Sequence, residues 1–356
     1  MSCESCCFLL TIALRWIVLS DSLFSVRISA MSFVLFWQSK QTAPVGSCLS
    51  RFIIGLAILL TSAAAWMFAG AAPAHAQDKG EAQEQANGFG GFPELETKYI
   101  FGNFTVGSST GIEGEKAFEP ETQANFGKGG GGRYSVGATT LEYEYTPTQY
   151  LQLIAGPIVS YYNIHNVPGL DDRDMVALDG FEAELRSVLI DRNPSPIAVT
   201  LALEPEFHSR DETSGAKVVN YGLEAKLEAD AELIKNRLFW GFNLLYEPET
   251  TRADLGQWEN ESTFGISSAL AYQIVPNVVI GADLWYLRHY DGAAFNSFTG
   301  DAVYLGPTFY WKIAPKVLMS VAWETQITGH EPGVSARLDF TDFSRQRARL
   351  LLEFEF

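Results

Sequence analysis

Acidic side chains occur at every second position in several segments of the chain. Glu142 and Glu144 form one such pair, and Glu204 and Glu206 form another. Carboxylates that share one face can exchange protons, bind a metal ion or attract cations. The charged positions that we predict to line a common interior are Glu142, Glu144, Glu182, Glu184, Arg186, Glu204, Glu206, Glu224, Lys226, Glu228, Arg347 and Arg349.

A two-residue alternation of apolar and polar side chains indicates the elements that carry these charges. In residues 218–233 the odd-numbered positions are almost all apolar, whereas most even-numbered positions are charged or polar. The segment is rich in Ala, Leu, Glu and Lys, which favour helices. At 100° per residue, however, its charges would be distributed all round a helix, so the alternation favours a strand with one polar face.

Twelve segments of this kind follow Pro93, separated by connections that alternate between short and long. This combination predicts an all-β fold, a closed antiparallel transmembrane β-barrel of about 12 strands with short periplasmic turns and longer extracellular loops. The longest connection, 108–132, contains a glycine run that could fold inward as a constriction. The predicted strands are 94–107, 133–146, 150–164, 178–192, 197–209, 218–234, 237–250, 260–275, 277–290, 300–313, 316–329 and 345–356.

The last ten residues, RARLLLEFEF, have the pattern of a barrel's closing strand. We expect this strand to pair with the first one, near ELETKYIFG at 94–102, because closure removes the sheet edges. The ending resembles the C-terminal signal of Gram-negative outer-membrane barrels. That resemblance implies insertion by the barrel-assembly machinery, with Phe354 and Phe356 as the assembly signal.

The N-terminal region has the features of an export sequence. Arg51, the apolar run 52–72 and Ala74-His75-Ala76 predict a signal peptide over 51–76, cleaved after Ala76. The apolar run is longer than usual, so a retained anchor helix is the alternative. We interpret 1–50 as a spurious or processed extension and 77–93 as a flexible lead-in to a barrel over 94–356.

Removal of residues 1–76 changes the charge and the cysteine content. It takes away all four cysteines, four of the 25 Lys and Arg residues and two of the 42 Asp and Glu residues. The remaining 21 basic and 40 acidic residues give a formal charge of −19. This acidity argues against binding to nucleic acid, whose phosphates would be repelled.

The excess of acid over base predicts a lumen that holds water and prefers cations. We therefore expect an outer-membrane channel or transporter for the passive passage of small solutes, either cations or small hydrophobic compounds. A closed structural or adhesive barrel is the alternative. The expected partners are outer-membrane lipid and lipopolysaccharide, the assembly machinery and small-molecule solutes.

A surface lipid hydrolase is a further alternative, because outer-membrane phospholipases and lipid A deacylases use Ser and His on the barrel exterior. His208-Ser209 lacks the Asn that follows in those families, and His165 has no Ser beside it. A metal site formed by histidines with Glu206 or Asp291 is weighed equally low. We predict no enzyme activity, no catalytic residues, no cofactor and no metal site, since GxxxxGK, HExxH and a GxGxxG after a strand are all missing from the sequence.

Two longer segments of the sequence carry a family resemblance. AGPIVSYYN at 155–163 and LGPTFYWKIAPKVLMSVAWETQITG at 305–329 resemble uncharacterised proteobacterial outer-membrane barrels. Those barrels are grouped with transporter-like proteins associated with aromatic-compound degradation. The resemblance implies passive uptake and leaves the substrate open.

Overall fold

The computed structural model describes residue 92 and residues 94–192, 194–253 and 256–356. The predicted extension 1–50, signal peptide 51–76 and nearly all of the lead-in 77–93 lie outside these residues. No helix in the described part of the chain is long and apolar enough to cross a membrane. The strands are β1 (Lys116–Phe126), β2 (Arg133–Thr148), β3 (Leu151–His165), β4 (Arg173–Ile190), β5 (Ile197–Arg210), β6 (Lys217–Ile234), β7 (Leu238–Ala253), β8 (Glu259–Val275), β9 (Val278–Asp291), β10 (Ser297–Ala314), β11 (Val317–His330) and β12 (Gln346–Glu355).

The twelve strands close into one antiparallel barrel. Each strand pairs with its neighbours in the sequence, and β12 pairs with β1 to complete the ring. The closing register runs from Ala117 opposite Glu355 to Phe126 opposite Gln346. Closure satisfies the backbone hydrogen bonds between strands and leaves no open edge. The predicted fold class is confirmed.

The first predicted strand was wrong. Residues 94–107 form turns instead of a wall strand, and the barrel begins at Lys116, inside the segment predicted to be the longest loop. Gly102 and Asn103 have φ angles of 88° and 76°, which interrupt an extended backbone. The closing strand β12 therefore pairs with KAFEPETQANF and not with ELETKYIFG.

The outside of the barrel is apolar, as a lipid-facing wall requires. Phe354 and Phe356, the predicted assembly signal, point outward and are 40% and 63% exposed. This is the surface of a transmembrane β-barrel. Other exposed apolar side chains on the strands include Phe118, Tyr143, Leu153, Phe181, Leu185, Phe207, Leu223, Tyr272, Ile280, Leu305, Trp311, Trp323 and Leu350.

The two ends of the barrel differ. At the short-turn end, connections such as 235–237 and 315–316 link the strands. At the long-loop end the longest connection between strands is 331–345, which folds inward. Within it Asp339 is fully buried, and the carbonyl of Ser344 accepts a hydrogen bond from the Tyr304 hydroxyl.

Residues 94–111, which we call the plug, lie inside the barrel. The chain enters at the short-turn end, where the side chain of Asn236 donates to the carbonyl of Phe92. Ile100 and Phe101 are 1% and 0% exposed and pack in a cluster of wall side chains that includes Phe239. The plug thus fills the short-turn half of the lumen.

Candidate functional site: a plugged lumen with an acidic vestibule

Asp230 on β6 is the main anchor of the plug's first and last turns. Its carboxylate accepts hydrogen bonds from the Thr97 hydroxyl at 2.6 Å and from the Ser108 backbone amide and hydroxyl at 2.6 and 2.7 Å. Arg192 pairs with the same carboxylate. Since Asp230 is fully buried, these donors replace the water that the charge loses.

Arg186 on β4 holds the end of the plug. Its guanidinium donates to the carbonyls of Gly107 and Ser109 at 2.8 and 3.2 Å. It also pairs with Glu228 at 2.7 Å, and both side chains are almost completely buried. A residue predicted as lumen charge therefore binds the plug backbone.

Lys98 brings a positive charge from the plug to the acidic wall. Its ammonium group pairs with Glu144 and lies 3.8 Å from Glu119. Burial alone would lower the pKa of Lys98, but these two carboxylates outweigh it and hold the pKa above its usual range. All three side chains are buried, so each charge depends on the others.

Glu96 is an acidic residue of the plug, two positions before Lys98. Burial raises the pKa of Glu96 to about 7, and the carboxylates of Glu115 and Glu144 add to the shift. A carboxyl group with this pKa changes charge near neutral pH, in contrast to an exposed glutamate.

Above the plug lies a polar cavity of about 280 Å³, open towards the long loops, which we call the vestibule. Its floor includes Phe104 of the plug and Trp285 of β9. The Arg347 guanidinium lies 4.3 Å from the ring centre of Phe104 and 5.4 Å from that of Trp285. The acidic, basic and histidine side chains that line the vestibule are Glu121, Glu182, Glu204, Glu206, His208, Glu212, Glu224, Lys226, Glu247, Arg347 and Arg349.

The structure divides the predicted lumen charges into two groups. Glu144, Arg186 and Glu228 contact the plug or its ligands, as described above. Lys226 pairs with Glu224, Arg349 with Glu121 and Arg347 with Glu324. Glu184 lies 3.4 Å from Arg186. Glu142 is buried beside these groups, and Glu182, Glu204 and Glu206 line the vestibule.

Several acidic residues in and beside the vestibule were missed from the sequence. Glu247 and Glu249 alternate on β7 in the same way as the predicted carboxylates, so the signal was present. Glu121 lay in a segment predicted to be a loop. The plug itself had a weaker signal, the Gly102-Asn103 pair, which is typical of a turn.

His208 does not form the Ser-His pair of the hydrolase alternative. His208 is 5% exposed and lies in the vestibule lining, not on the lipid-facing surface. Its Nδ1 lies 3.3 Å from Asp179, and its Nε2 lies 3.3 Å from Glu206. Among the described residues no serine hydroxyl bonds to Nε2; Ser209 instead donates to Asp179 at 3.3 Å. At His208, therefore, the described residues do not place the serine nucleophile that a Ser-His arrangement requires.

Sequence comparison gives the family. A family model described as "Family of unknown function (DUF6662)" matches residues 95–356. The chain belongs to this family. The region shared with DUF6662 therefore contains nearly all of the plug as well as the twelve strands. No curated protein matches the chain in sequence.

The DUF6662 barrel is also similar to solved outer-membrane barrels. The COG4313 outer membrane channel from Pseudomonas putida F1 is 12% identical with a TM-score of 0.46, over 70% of this chain and 98% of that one. The NanC porin is 11% identical with a TM-score of 0.42, over 67% and 98%. The KdgM porin in complex with disordered oligogalacturonate is 12% identical with a TM-score of 0.38, over 68% and 99%.

Proposed function

We propose that this protein is a plugged channel of the bacterial outer membrane that passes small solutes, with a preference for cations, when the plug moves. The observation that carries this proposal is the vestibule. It is an acidic cavity that opens at the long-loop end and ends on Phe104 of the plug. Moving the plug would extend the cavity towards the short turns.

The way in which the plug is held supports its movement as a unit. Among the described residues the strand ladders join wall strands only to one another, while the plug is bound by side-chain contacts. Its one isolated bridge joins Gly102 to Thr105, within the plug itself. Displacement would therefore break no ladder of the barrel, and the wall could remain folded.

The charge of the vestibule supports cation preference. Within the described part of the chain neither Glu182 nor Glu204 forms an ion pair with a Lys or Arg. Glu247 adds a further carboxylate to the lining. A cavity with low-dielectric walls and an excess of one charge concentrates ions of the opposite sign.

We place the barrel in the outer membrane with its short turns towards the periplasm. An outward apolar surface and short turns at one end are typical of an outer-membrane barrel whose short turns face the periplasm. The vestibule would then open to the exterior, and the plug would enter from the periplasm. Export through a signal peptide cleaved after Ala76 and insertion by the assembly machinery fit this orientation.

Small hydrophobic or aromatic solutes are a second candidate cargo. The ring faces of Phe104 and Trp285 at the vestibule floor favour it, because they offer an apolar surface beside Arg347. A permanently closed structural barrel is the other candidate. The near-complete burial of Ile100 and Phe101 favours that alternative.

Single-channel conductance distinguishes these candidates. Residues 77–356 and the same chain lacking 94–111 are refolded, checked for heat-modifiable mobility and placed in planar bilayers with a KCl gradient. We expect brief openings from the first and persistent conductance from the second, both with a cation-directed reversal potential. A folded barrel without 94–111 that does not conduct would rule out the channel and favour the closed barrel.

A further inference from the structure

Three potential metal ligands meet at the long-loop end of the vestibule. Glu206 and His208 lie on β5, and Glu212 follows in the next connection. One ligand atom from each lies within 4.8 Å of the others. His208 Nε2 is 3.3 Å from Glu206 and 3.5 Å from Glu212. These distances leave room for an ion between the imidazole nitrogen and the carboxylates.

The other nitrogen of His208 is held by a buried carboxylate. Asp179 Oδ2 lies 3.3 Å from His208 Nδ1 and accepts a hydrogen bond from Ser160 at 2.7 Å. Its second oxygen accepts the backbone amide of Ser209 at 3.1 Å. A carboxylate that binds Nδ1–H fixes the ring and leaves Nε2 free to coordinate a metal, which is the usual arrangement behind a metal-binding histidine.

An unpartnered amide oxygen points to the same place. Asn220 on β6 lies directly across from His208 in the sheet register and is 8% exposed. Its amide nitrogen donates to Glu249 and Thr251, both on β7. Its buried Oδ1 has no hydrogen-bond partner within the described part of the chain. Because Asn220 and His208 are register partners on adjacent strands, their side chains lie beside each other on the same face of the sheet.

We propose that Glu206, His208 and Glu212 bind a divalent transition-metal ion, with Zn²⁺ as the reference ion, and that Asp179 positions His208. One imidazole nitrogen and two carboxylates form a ligand set that suits Zn²⁺ better than Ca²⁺ or Mg²⁺, which prefer oxygen ligands alone. Asn220, whose Oδ1 has no partner among the described residues, is the neighbouring residue that would supply a further oxygen to the ion or to a water molecule on it. The site lies in the vestibule wall, so its occupancy is independent of whether the barrel conducts.

The local charge also favours a cation. Glu206 belongs to a second group of close carboxylates, with Glu247 and Glu249. Among the described residues three carboxylates lie within 3.5 Å of the His208 ring: Asp179, Glu206 and Glu212. Together they carry more negative charge than one imidazolium can neutralise. A divalent ion would neutralise more of this charge than a proton on His208 could.

Calorimetric titration tests the site. Residues 77–356, refolded in detergent and cleared of metal with a chelator, are titrated with ZnCl₂ and separately with CaCl₂. We expect one Zn²⁺ per barrel and much weaker Ca²⁺ binding. Asp179→Asn should weaken Zn²⁺ binding about 10- to 100-fold, and His208→Ala, which removes a ligand, should weaken it more.

His330→Ala is the matched control, because His330 is exposed at the end of β11 and belongs to a different part of the rim. It should leave Zn²⁺ affinity unchanged. Zn²⁺ binding that is lost equally in His330→Ala, or that survives in a folded His208→Ala barrel, would overturn the proposal. So would the absence of binding to the unaltered barrel, in which case His208 serves only as a charge partner of the three carboxylates.

Discussion

At the scale of single residues, buried charge pairs hold the plug in the lumen. Lys98 faces Glu119 and Glu144, and all three are shielded from water. A buried ion pair gives little net stability compared with an apolar replacement. Removing only one partner, however, is strongly destabilising, because it leaves a buried charge unpaired. Separating the plug from the wall would leave buried charges unpaired, and this free-energy cost keeps the plug in place.

Lys98→Met should release the plug, because it leaves two buried carboxylates without their cation. The expected loss is about 3 kcal/mol, which corresponds to about a 100-fold change in an equilibrium constant. Single-channel recording should show a higher open probability. Lys217→Met, at the exposed start of β6, is the control and should have no effect. An unchanged open probability in Lys98→Met would contradict the role of this pair.

Glu96 should make the closed state depend on pH. Because the pKa of Glu96 is about 7 with the plug inserted, the inserted plug binds this proton more tightly than a displaced, solvated plug does. Insertion is therefore most favourable at acidic pH and weakens as the pH rises towards and through 7. Open probability should be higher at pH 8 than at pH 5, and Glu96→Gln should reduce this difference. A difference of the same size in Glu96→Gln would exclude Glu96 as its source.

At the scale of elements, one wall strand is shaped around the plug. A Cβ atom added to Gly241 on β7 would lie 2.9 Å from the Phe101 ring and 3.0 Å from the Thr105 methyl group. The absence of a side chain there lets the plug approach the wall closely. Gly241 is thus part of the plug's binding surface.

Gly241→Val should push the plug away from β7. Overpacking of this kind costs about 1–3 kcal/mol, so we expect more frequent openings in bilayers. Gly222→Val is the control, because its added Cβ would meet the flexible side chain of Glu206 and not the plug. Equal behaviour of the two variants would show that the Gly241 contact does not hold the plug.

Matched substitutions in β12 and β1 distinguish an effect on assembly from an effect on barrel stability. Phe354 and Phe118 are opposite each other in the β1–β12 register and are 40% and 41% exposed. Because they lose a similar lipid contact, Phe354→Ala and Phe118→Ala should lower barrel stability by similar amounts. Phe354→Ala should in addition reduce the amount of folded barrel in the outer membrane of cells, measured by heat-modifiable mobility. Equal cellular amounts would contradict the assembly signal.

At the scale of the whole molecule, the sequence predicts the strands of the barrel wall better than it predicts the plug inside them. Strands such as β6 repeat apolar and charged positions with a period of two because one face meets lipid and the other the lumen. The plug has no such two-sided environment. Residues 94–107 are rich in β-forming Thr, Tyr, Ile and Phe, but several neighbouring side chains are buried together, so no wall face is defined.

The predicted strand count was correct although one strand was misplaced. β1 was missed because it contains Pro120 and lies among glycines, so turn signals obscured its alternation. The lumen charges followed from periodicity alone. Their division between plug contacts and vestibule depends on contacts between distant parts of the chain, such as Lys98 with Glu144, which periodicity does not contain.

A disulfide lock tests whether movement of residues 94–111 opens the lumen. The hydroxyls of Thr105 in the plug and Ser267 on β8 are 2.6 Å apart, close to the separation of bonded sulfur atoms. Residues 77–356 contain no other cysteine. Conductance of T105C/S267C is recorded under oxidising and then reducing conditions, with each single-cysteine variant as a control. We predict openings only after reduction. Equal conductance in both conditions, with the disulfide verified, would contradict a moving plug.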